Sequence, residues 1–330
     1  MQVIQDALRA ADLPHGTIVT IGNYDGIHLG QREVLRRVVE RAGATGSQSV
    51  VVTFDPHPLE VLRPESAPPR IVTLAQKEAL LDELGIDYVL IVRFTHEFAL
   101  TPARSFVRDF LHEKLGAREI YVGADFSFGH RREGDVTLLQ QMGESFGFQA
   151  FAVEEVRAGR DRISSTRIRE LIRLGHVAEA RELLGRPYSI TGIVVRGDRM
   201  GQRLGWPTIN LSCDHLLIAI DGVYASRVFF PSFPATFDSV TNIGTRPTVY
   251  ENYERVVESH ILDFRSDVYG ETVELQFWKR LRDEKMFPSI MDLSAQIGRD
   301  VEETREFFAA LRAREEIESG VRAPSSHGVP

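Results

Sequence analysis

Thr208 and Asn210 stand one residue apart in the stretch GDRMGQRLGWPTINL, and the two-residue period of a strand turns both side-chain oxygens to one face. A hydroxyl and an amide so placed can hold a hard cation, whose ligands are oxygens. Gly197, Gly201 and Gly205 lie just upstream. Lacking a β-carbon, they let the backbone approach phosphates closely and adopt positive φ, as a flap that grips a nucleotide must. No Walker A lysine motif accompanies them. A loop entering an ordinary buried strand has the same spacing, so spacing alone leaves both readings open.

A second concentration of chemistry follows the run TIVTIG. Gly22, Asn23, Asp25, Gly26, His28 and Gly30 crowd one strand-to-helix turn, where free amides and the positive end of a helix dipole converge on an anion. His28 could add a proton-bearing imidazole there; a helix cap or a surface histidine is the alternative. ISSTRIRELI opens another helix with Ser164, Ser165 and Thr166 and carries Arg169 one turn beyond Ser165, so hydroxyls, amides and a guanidinium could surround one anion. The competing reading is an N-cap followed by a surface arginine. Pro56 and Pro58 stiffen the loop around His57. Phe126 and Phe128, in GADFSFGHRREGD, flank a small-residue loop that could meet a flat aromatic ligand, although phenylalanines there more often serve a core.

These residues need elements to hold them. From Thr17 to about Leu184 short β-branched runs alternate with helical patterns, which argues for a parallel sheet sandwiched by helices, a Rossmann-like α/β domain with ligands at the carboxyl ends of its strands. From Tyr188 the texture changes to closely spaced strands broken by glycine and proline turns, an antiparallel barrel or sandwich. A helix from roughly Ser289 to Leu311 closes it. The expected division is residues 1–184, residues 185–315 and a disordered tail over 316–330, with Gly185, Arg186 and Pro187 as the linker.

Composition bounds the function. With 330 residues the chain can form two cores. Its formal net charge is −8 and both halves are mildly acidic, which argues against nonspecific nucleic-acid binding. Cys213 is the single cysteine, so no intrachain disulfide forms, and an unpaired thiol suits the reducing cytoplasm. The amino terminus lacks a secretory pattern, and no apolar run approaches the ~18 residues that span a bilayer, so no membrane partner is expected.

Taken together, the HLGQ turn, the ISSTRIR helix start and the PTIN strand resemble the bacterial bifunctional riboflavin kinase and FAD synthetase family, in order and from about His15 to Leu311. The resemblance implies an amino-terminal nucleotidyltransferase domain and a carboxyl-terminal flavokinase barrel. It implies two reactions that each consume ATP with Mg2+: riboflavin to FMN, then FMN to FAD with release of pyrophosphate. It makes Thr208 and Asn210 magnesium and phosphate ligands and the Gly201 to Gly205 loop the ATP flap of the kinase. Glu258, in VVESHILDF, falls at the family's catalytic base, and the strand period would group it with Val256, His260, Leu262 and Phe264. In the adenylyltransferase, Gly22, Asn23, Asp25, Gly26, His28, Gly30 and Gln31 would form the ATP site, with His28 and the Gly26 to Gly30 backbone at the α and β phosphates and Asp25 placed to orient the turn, and Ser164, Ser165, Thr166 and Arg169 would hold the departing pyrophosphate. Pro58, Asp125, Phe128 and Phe287 would contact flavin. Riboflavin, FMN and ATP are the implied partners, with no obligate protein partner. Two positions depart from the pattern: Gln31 replaces the second histidine of the HxGH turn, and Asp125 stands where some relatives carry asparagine. Glutamine can donate a hydrogen bond but carries no charge, so a riboflavin kinase with an impaired nucleotidyltransferase domain is the alternative.

Overall fold

The computed structural model describes residues 1–158, 161–197, 200–213, 217–247 and 253–319. These form two compact units, Met1–Arg169 with Leu183–Gly185, and Glu170–Glu182 with the described residues from Arg186 onward.

In the first unit six strands form one sheet: β1 (Gln2–Gln5), β2 (Ile18–Ile21), β3 (Ser49–Asp55), β4 (Tyr88–Arg93), β5 (Glu119–Gly123) and β6 (Gln149–Val153). Every pairing is parallel and the order is β1-β4-β3-β2-β5-β6. Val50, Val51 and Val52 are all fully buried, which requires both faces of β3 to be covered, and that is why the run SVVVTF shows no alternation. The edge strand β1 was not expected from the sequence. From β2 the chain lays β3 and β4 on one side and then β5 and β6 on the other, so the order reverses at β2. Ligands of open α/β sheets sit outside the carboxyl ends of the strands at such a reversal.

Helices α1 (Leu29–Thr45), α2 (Pro58–Leu62), α3 (Leu74–Glu83) and α4 (Val136–Phe146) connect these strands. The helix expected over ARSFVRDFLHEKL is wound as a π-helix over Phe106–Lys114, burying Phe106, Val107, Phe110 and Leu111. Two further helices, α5 (Ser165–Arg173) and α6 (Val177–Leu184), follow β6 in sequence. Most of this pair packs with the second unit, short of the expected boundary at 184. Gly175 lies against the side chains of Arg280 and Ile220, and the Arg181 guanidinium stacks 5.1 Å from the centre of the Trp278 ring.

The second unit is a closed antiparallel barrel rather than a sandwich, formed by β7 (Tyr188–Val195), β8 (Ile209–Ser212), β9 (Gly222–Phe229), β10 (Thr236–Pro247), β11 (Tyr253–Ile261) and β12 (Thr272–Arg282). The order is β7-β8-β11-β10-β9-β12, closing on β7. Closure leaves no unpaired edge. Alternation is clear on β11: Val257, Ser259 and Ile261 are buried, whereas Val256, Glu258 and His260 are half-buried on the other face. The strand ends at Ile261, so Leu262 and Phe264 do not continue the face of Glu258; Leu262 joins an apolar cluster with Val223, Val240 and Val301. Helix α7 (Ile290–Ser319) packs there through Val301 and Ile297. It runs past Leu311, so residues 316–319, expected in the tail, are helical; residues 320–330 lie outside the described residues. Among the described residues no helix is long and apolar enough to cross a membrane.

Candidate active sites

The turn after β2 is built around two acceptor side chains. His28 is the N-cap of α1, extended at φ −73° and ψ 169°, and its Nδ1 accepts the Gln31 N–H at 3.3 Å. Gln31 answers through Oε1, which accepts the His28 N–H at 3.2 Å, completing a capping box. Because Nδ1 is the acceptor, a neutral imidazole here carries its proton on Nε2. The carbonyl end of Gln31 is committed to the cap, which leaves only its NH2 end as a donor to a phosphate. Gly26 turns at φ +100°, a conformation that strains any residue with a side chain, and a Cβ there would lie 3.2 Å from Ile71 Cδ1.

Asp25, 5% exposed, ties this turn to two other segments. Its Oδ1 accepts the N–H groups of Ile71 at 2.9 Å and Val72 at 3.3 Å, and its Oδ2 accepts Arg169 Nη2 at 2.5 Å. Arg169 Nε donates to Pro69 O at 3.0 Å, and Ser165 Oγ donates to Asp25 O at 2.7 Å. Arg169 and Ser165, the expected pyrophosphate ligands, both brace the turn through these bonds. Ser164 Oγ accepts the Arg167 N–H at 3.3 Å, as an N-cap does, and Thr166 is exposed beside it.

Asn23 is exposed, but its carbonyl turns inward to accept Lys77 Nζ at 2.8 Å and Thr53 Oγ1 at 3.3 Å. Beneath it Tyr24 OH and Thr20 Oγ1 are 2.5 Å apart, and burial pushes the phenol well above its ordinary range. His57 caps α2 after the second strand of the site; burial holds its imidazole below the ordinary value of 6.5, with Asp25 acting in the opposite direction. Lys77, which sequence reasoning missed, is 8% exposed, and burial lowers its ammonium pKa. Its signal was present: Leu74, Lys77 and Leu81 share a helical face, so a lysine interrupts an apolar stripe.

The flavin-side candidates of this unit are dispersed in role. Pro58 is the first residue of α2 and half-buried, and Asp125 is exposed and ion-paired with Arg162. Phe128, an expected flavin contact, packs in the core, stacked on Phe126 at 5.4 Å and 6.1 Å from Phe106. The half-buried Phe126 is the ring of this pair nearer solvent.

In the barrel, Asn210, Glu258 and Asn242 form one lateral row: Asn210 pairs with Glu258 across β8 and β11, and Glu258 pairs with Asn242 across β11 and β10. Directly opposite residues share a face with Cβ atoms about 4.5–5.5 Å apart. Thr208 is half-buried immediately before β8, and Asn210 is 9% exposed. A Cβ at Gly197 would lie 2.4 Å from Asn210 Nδ2, and one at Gly201 would lie 2.3 Å from Trp206 O and 3.2 Å from Thr208 Oγ1. Gly205 closes the segment at φ +83°. Gly197 thus lies directly against the Asn210 side chain and Gly201 close to that of Thr208. His260 donates from Nδ1 to Pro207 O at 2.7 Å, and Trp206 donates to Ser294 Oγ at 3.1 Å, fixing the strand entry from both sides. Glu284 hydrogen-bonds Asn242, and burial and Asp221 raise its carboxyl pKa. Three residues on, half-buried Phe287 lies 5.7 Å from the Arg282 guanidinium and 5.2 Å from Lys285 Nζ. Among the described residues no three His, Cys, Asp or Glu side chains are grouped to hold a metal ion.

Comparison with known proteins follows this division. A family model described as FAD synthetase matches residues 10–167, and one described as riboflavin kinase matches residues 184–308. A bifunctional riboflavin kinase/FMN adenylyltransferase from Escherichia coli K12 is 38% identical over 313 residues, 94% of this chain and 99% of that protein. One from Pseudomonas fluorescens is 36% identical over 327 residues, 99% of this chain and all of that protein. A crystal structure described as a macrolide-efflux protein from Streptococcus pneumoniae superposes with a TM-score of 0.83 at 30% identity, covering 92% of this chain and 98% of its own.

Proposed function

This chain belongs to the family of bifunctional riboflavin kinases and FMN adenylyltransferases, and we propose that it divides their two reactions between its two sites. It phosphorylates riboflavin to FMN and adenylylates FMN to FAD. The match to FAD synthetase over residues 10–167 favours the bifunctional reading over a kinase alone, despite Gln31. The adenylyl step belongs to residues 1–184 and the kinase step to 185–315, with ATP as the donor in each.

The observation that carries the kinase assignment is the row Asn210–Glu258–Asn242 beneath a glycine loop. Glu258 stands half-buried between two neutral amides, so its carboxylate can accept the proton of the riboflavin primary hydroxyl as that oxygen attacks the γ-phosphorus of ATP. Thr208 and Asn210 fit a small hard cation: both offer a side-chain oxygen, and no side chain can occupy the space that Gly197 and Gly201 leave over them. Mg2+ held there would neutralise phosphate charge. Phe287 offers the flavin a half-buried ring between two cationic side chains.

In the first unit the phosphate of FMN attacks the α-phosphorus of ATP in line, expelling pyrophosphate without a covalent enzyme intermediate. The chain contributes position and charge. His28 donates from Nε2, the amides of Gly26 to Gly30 and the α1 dipole meet the phosphates, and Thr166 with the α5 amides receives the pyrophosphate. Asp25, Arg169 and Ser165 hold the two helix starts together. Pro58, Asp125 and Phe128 are the flavin-side contacts, with Phe126 as the ring of the Phe pair nearer solvent. A lone cysteine and ATP-dependent chemistry suit the cytoplasm. The test is a time course with riboflavin, ATP and Mg2+: FMN should appear first and FAD should follow. FMN accumulation with no FAD from added FMN would overturn the two-site reading.

A further inference from the structure

Lys77 is a buried cation for which no ion pair is seen among the described residues, although the charges of Asp25, Asp55 and Glu60 act on it from further off. The neighbouring carboxylates are each taken by an arginine: Asp25 by Arg169, and Asp55 and Glu60 by Arg70. The Lys77 ammonium is left with two neutral oxygens, Asn23 O at 2.8 Å and Thr53 Oγ1 at 3.4 Å. An ammonium has three donors, and a cation removed from water with its nearest carboxylates already engaged by arginines is only partly compensated, which is costly to the folded state. Methionine would fill the same space on the apolar face of α3, beside Leu80 and Leu81, without that cost.

The location supplies the compensating gain. Asn23 belongs to the turn at the carboxyl end of β2, where the sheet order reverses and α1 begins. Holding its carbonyl inward leaves the amides that follow it to face the ligand, and the ammonium behind the turn adds a positive charge screened from water by protein. We infer that Lys77 is a positioning residue for adenylyl transfer, holding the Asn23 carbonyl beneath the phosphate turn and supplying a buried charge that the triphosphate of ATP compensates. The inference rests on the reading of the Gly22–His28 turn as the triphosphate site. It explains why the segment Arg70–Thr73 is stitched to Asp25: the backbone bonds of Ile71 and Val72 set where α3 starts, and hence where its lysine reaches.

The test uses the full chain, with FMN formation from riboflavin as an internal control, since the kinase residues lie in the other unit. Lys77→Met should leave the melting temperature without nucleotide unchanged or higher. It should lower kcat/KM for FAD formation on the order of 10- to 100-fold, with KM for ATP raised, and keep FMN formation within about twofold. FAD formation within about twofold of wild type overturns the inference, and so does a first unit that no longer folds, because the lysine would then be a structural cation. His28→Ala separates the two levels. If it abolishes FAD formation while Lys77→Met does not, only the lysine inference fails. If it leaves FAD formation intact, the site reading fails first.

Discussion

Asp25 and Arg169 form a 2.5 Å ion pair between the turn after β2 and the first turns of α5, with side chains only 7% and 11% exposed. Two sequence segments 144 residues apart, each an anion-binding candidate by itself, are thereby fixed against each other. A buried pair is a poor source of net stability, yet removing one partner strands the other charge. Arg169→Ala should destabilise the first unit by about 3–5 kcal/mol and lower FAD formation with it, while FMN formation persists. A double variant, Asp25→Leu with Arg169→Met, should recover part of the stability but none of the FAD formation. Denaturant titration of the single and double variants checks the coupling; additive losses would show that the two residues do not act as a pair.

The glycine loop of the barrel offers a steric test. Gly197→Ala places a methyl group 2.4 Å from Asn210 Nδ2, closer than any real contact, so either the loop lifts or Asn210 turns away. FMN formation should fall at least about tenfold, and FAD formation from supplied FMN should not change. Steady-state rates on the two substrates measured separately decide it.

Glu258→Gln keeps shape and hydrogen bonding but cannot accept a proton. Turnover to FMN should drop by about 100-fold or more with riboflavin binding nearly intact. A wild-type rate in this variant would remove Glu258 from the mechanism. Its neighbour on β10, Asn242, could not have been named from sequence, because the pairing depends on the register between β10 and β11, which the period of either strand alone does not fix.

Other features were legible for physical reasons. The run Val50–Val52 has no alternation because both faces are covered, and the change of texture after Tyr188 marks a barrel because short strands need frequent turns. The His28 turn could be recognised as a helix start. Its ring turned out to be the cap itself, so the cap and active-site readings do not exclude each other. Less visible were features decided by tertiary neighbours. Phe128 joined the core because Phe106 on the π-helix fills one side of it, and Arg169 braces the turn because Asp25 is buried beside it. The strand Gln2–Gln5 has too few residues to display a period, and it gains its place only from pairing with β4.

His57 gives the first unit a pH dependence. Burial depresses its folded-state pKa below 6.5, so between the two values the unfolded chain binds the proton that the folded chain refuses. Acidification from pH 7 through 6.5 toward the folded pKa should therefore cost stability, and raising the pH should restore it. His57→Asn keeps a side-chain acceptor for the α2 cap but removes the titration, so the difference in melting temperature between variant and wild type should shrink or reverse as pH falls. A constant difference across that range would mean the imidazole titrates alike in both states.

Gln31 poses the remaining question, because one side chain serves both the cap and the phosphates. Its Oε1 accepts the His28 N–H, which glutamate would do equally well, whereas only its NH2 end can favour an anion. Gln31→Glu should therefore keep α1 and its stability intact while placing a negative charge at the phosphate turn, lowering FAD formation by about tenfold or more. Gln31→His loses the amide arm of the cap, at a cost of about 0.5–2 kcal/mol, but can carry a proton toward the phosphates and should raise FAD formation. The kinase step should be indifferent to both, its residues lying in the other unit. Rates of FAD formation ranked His, Gln, Glu at constant folded fraction would assign position 31 to charge at the phosphates. A glutamate variant as active as wild type would assign it to the cap alone.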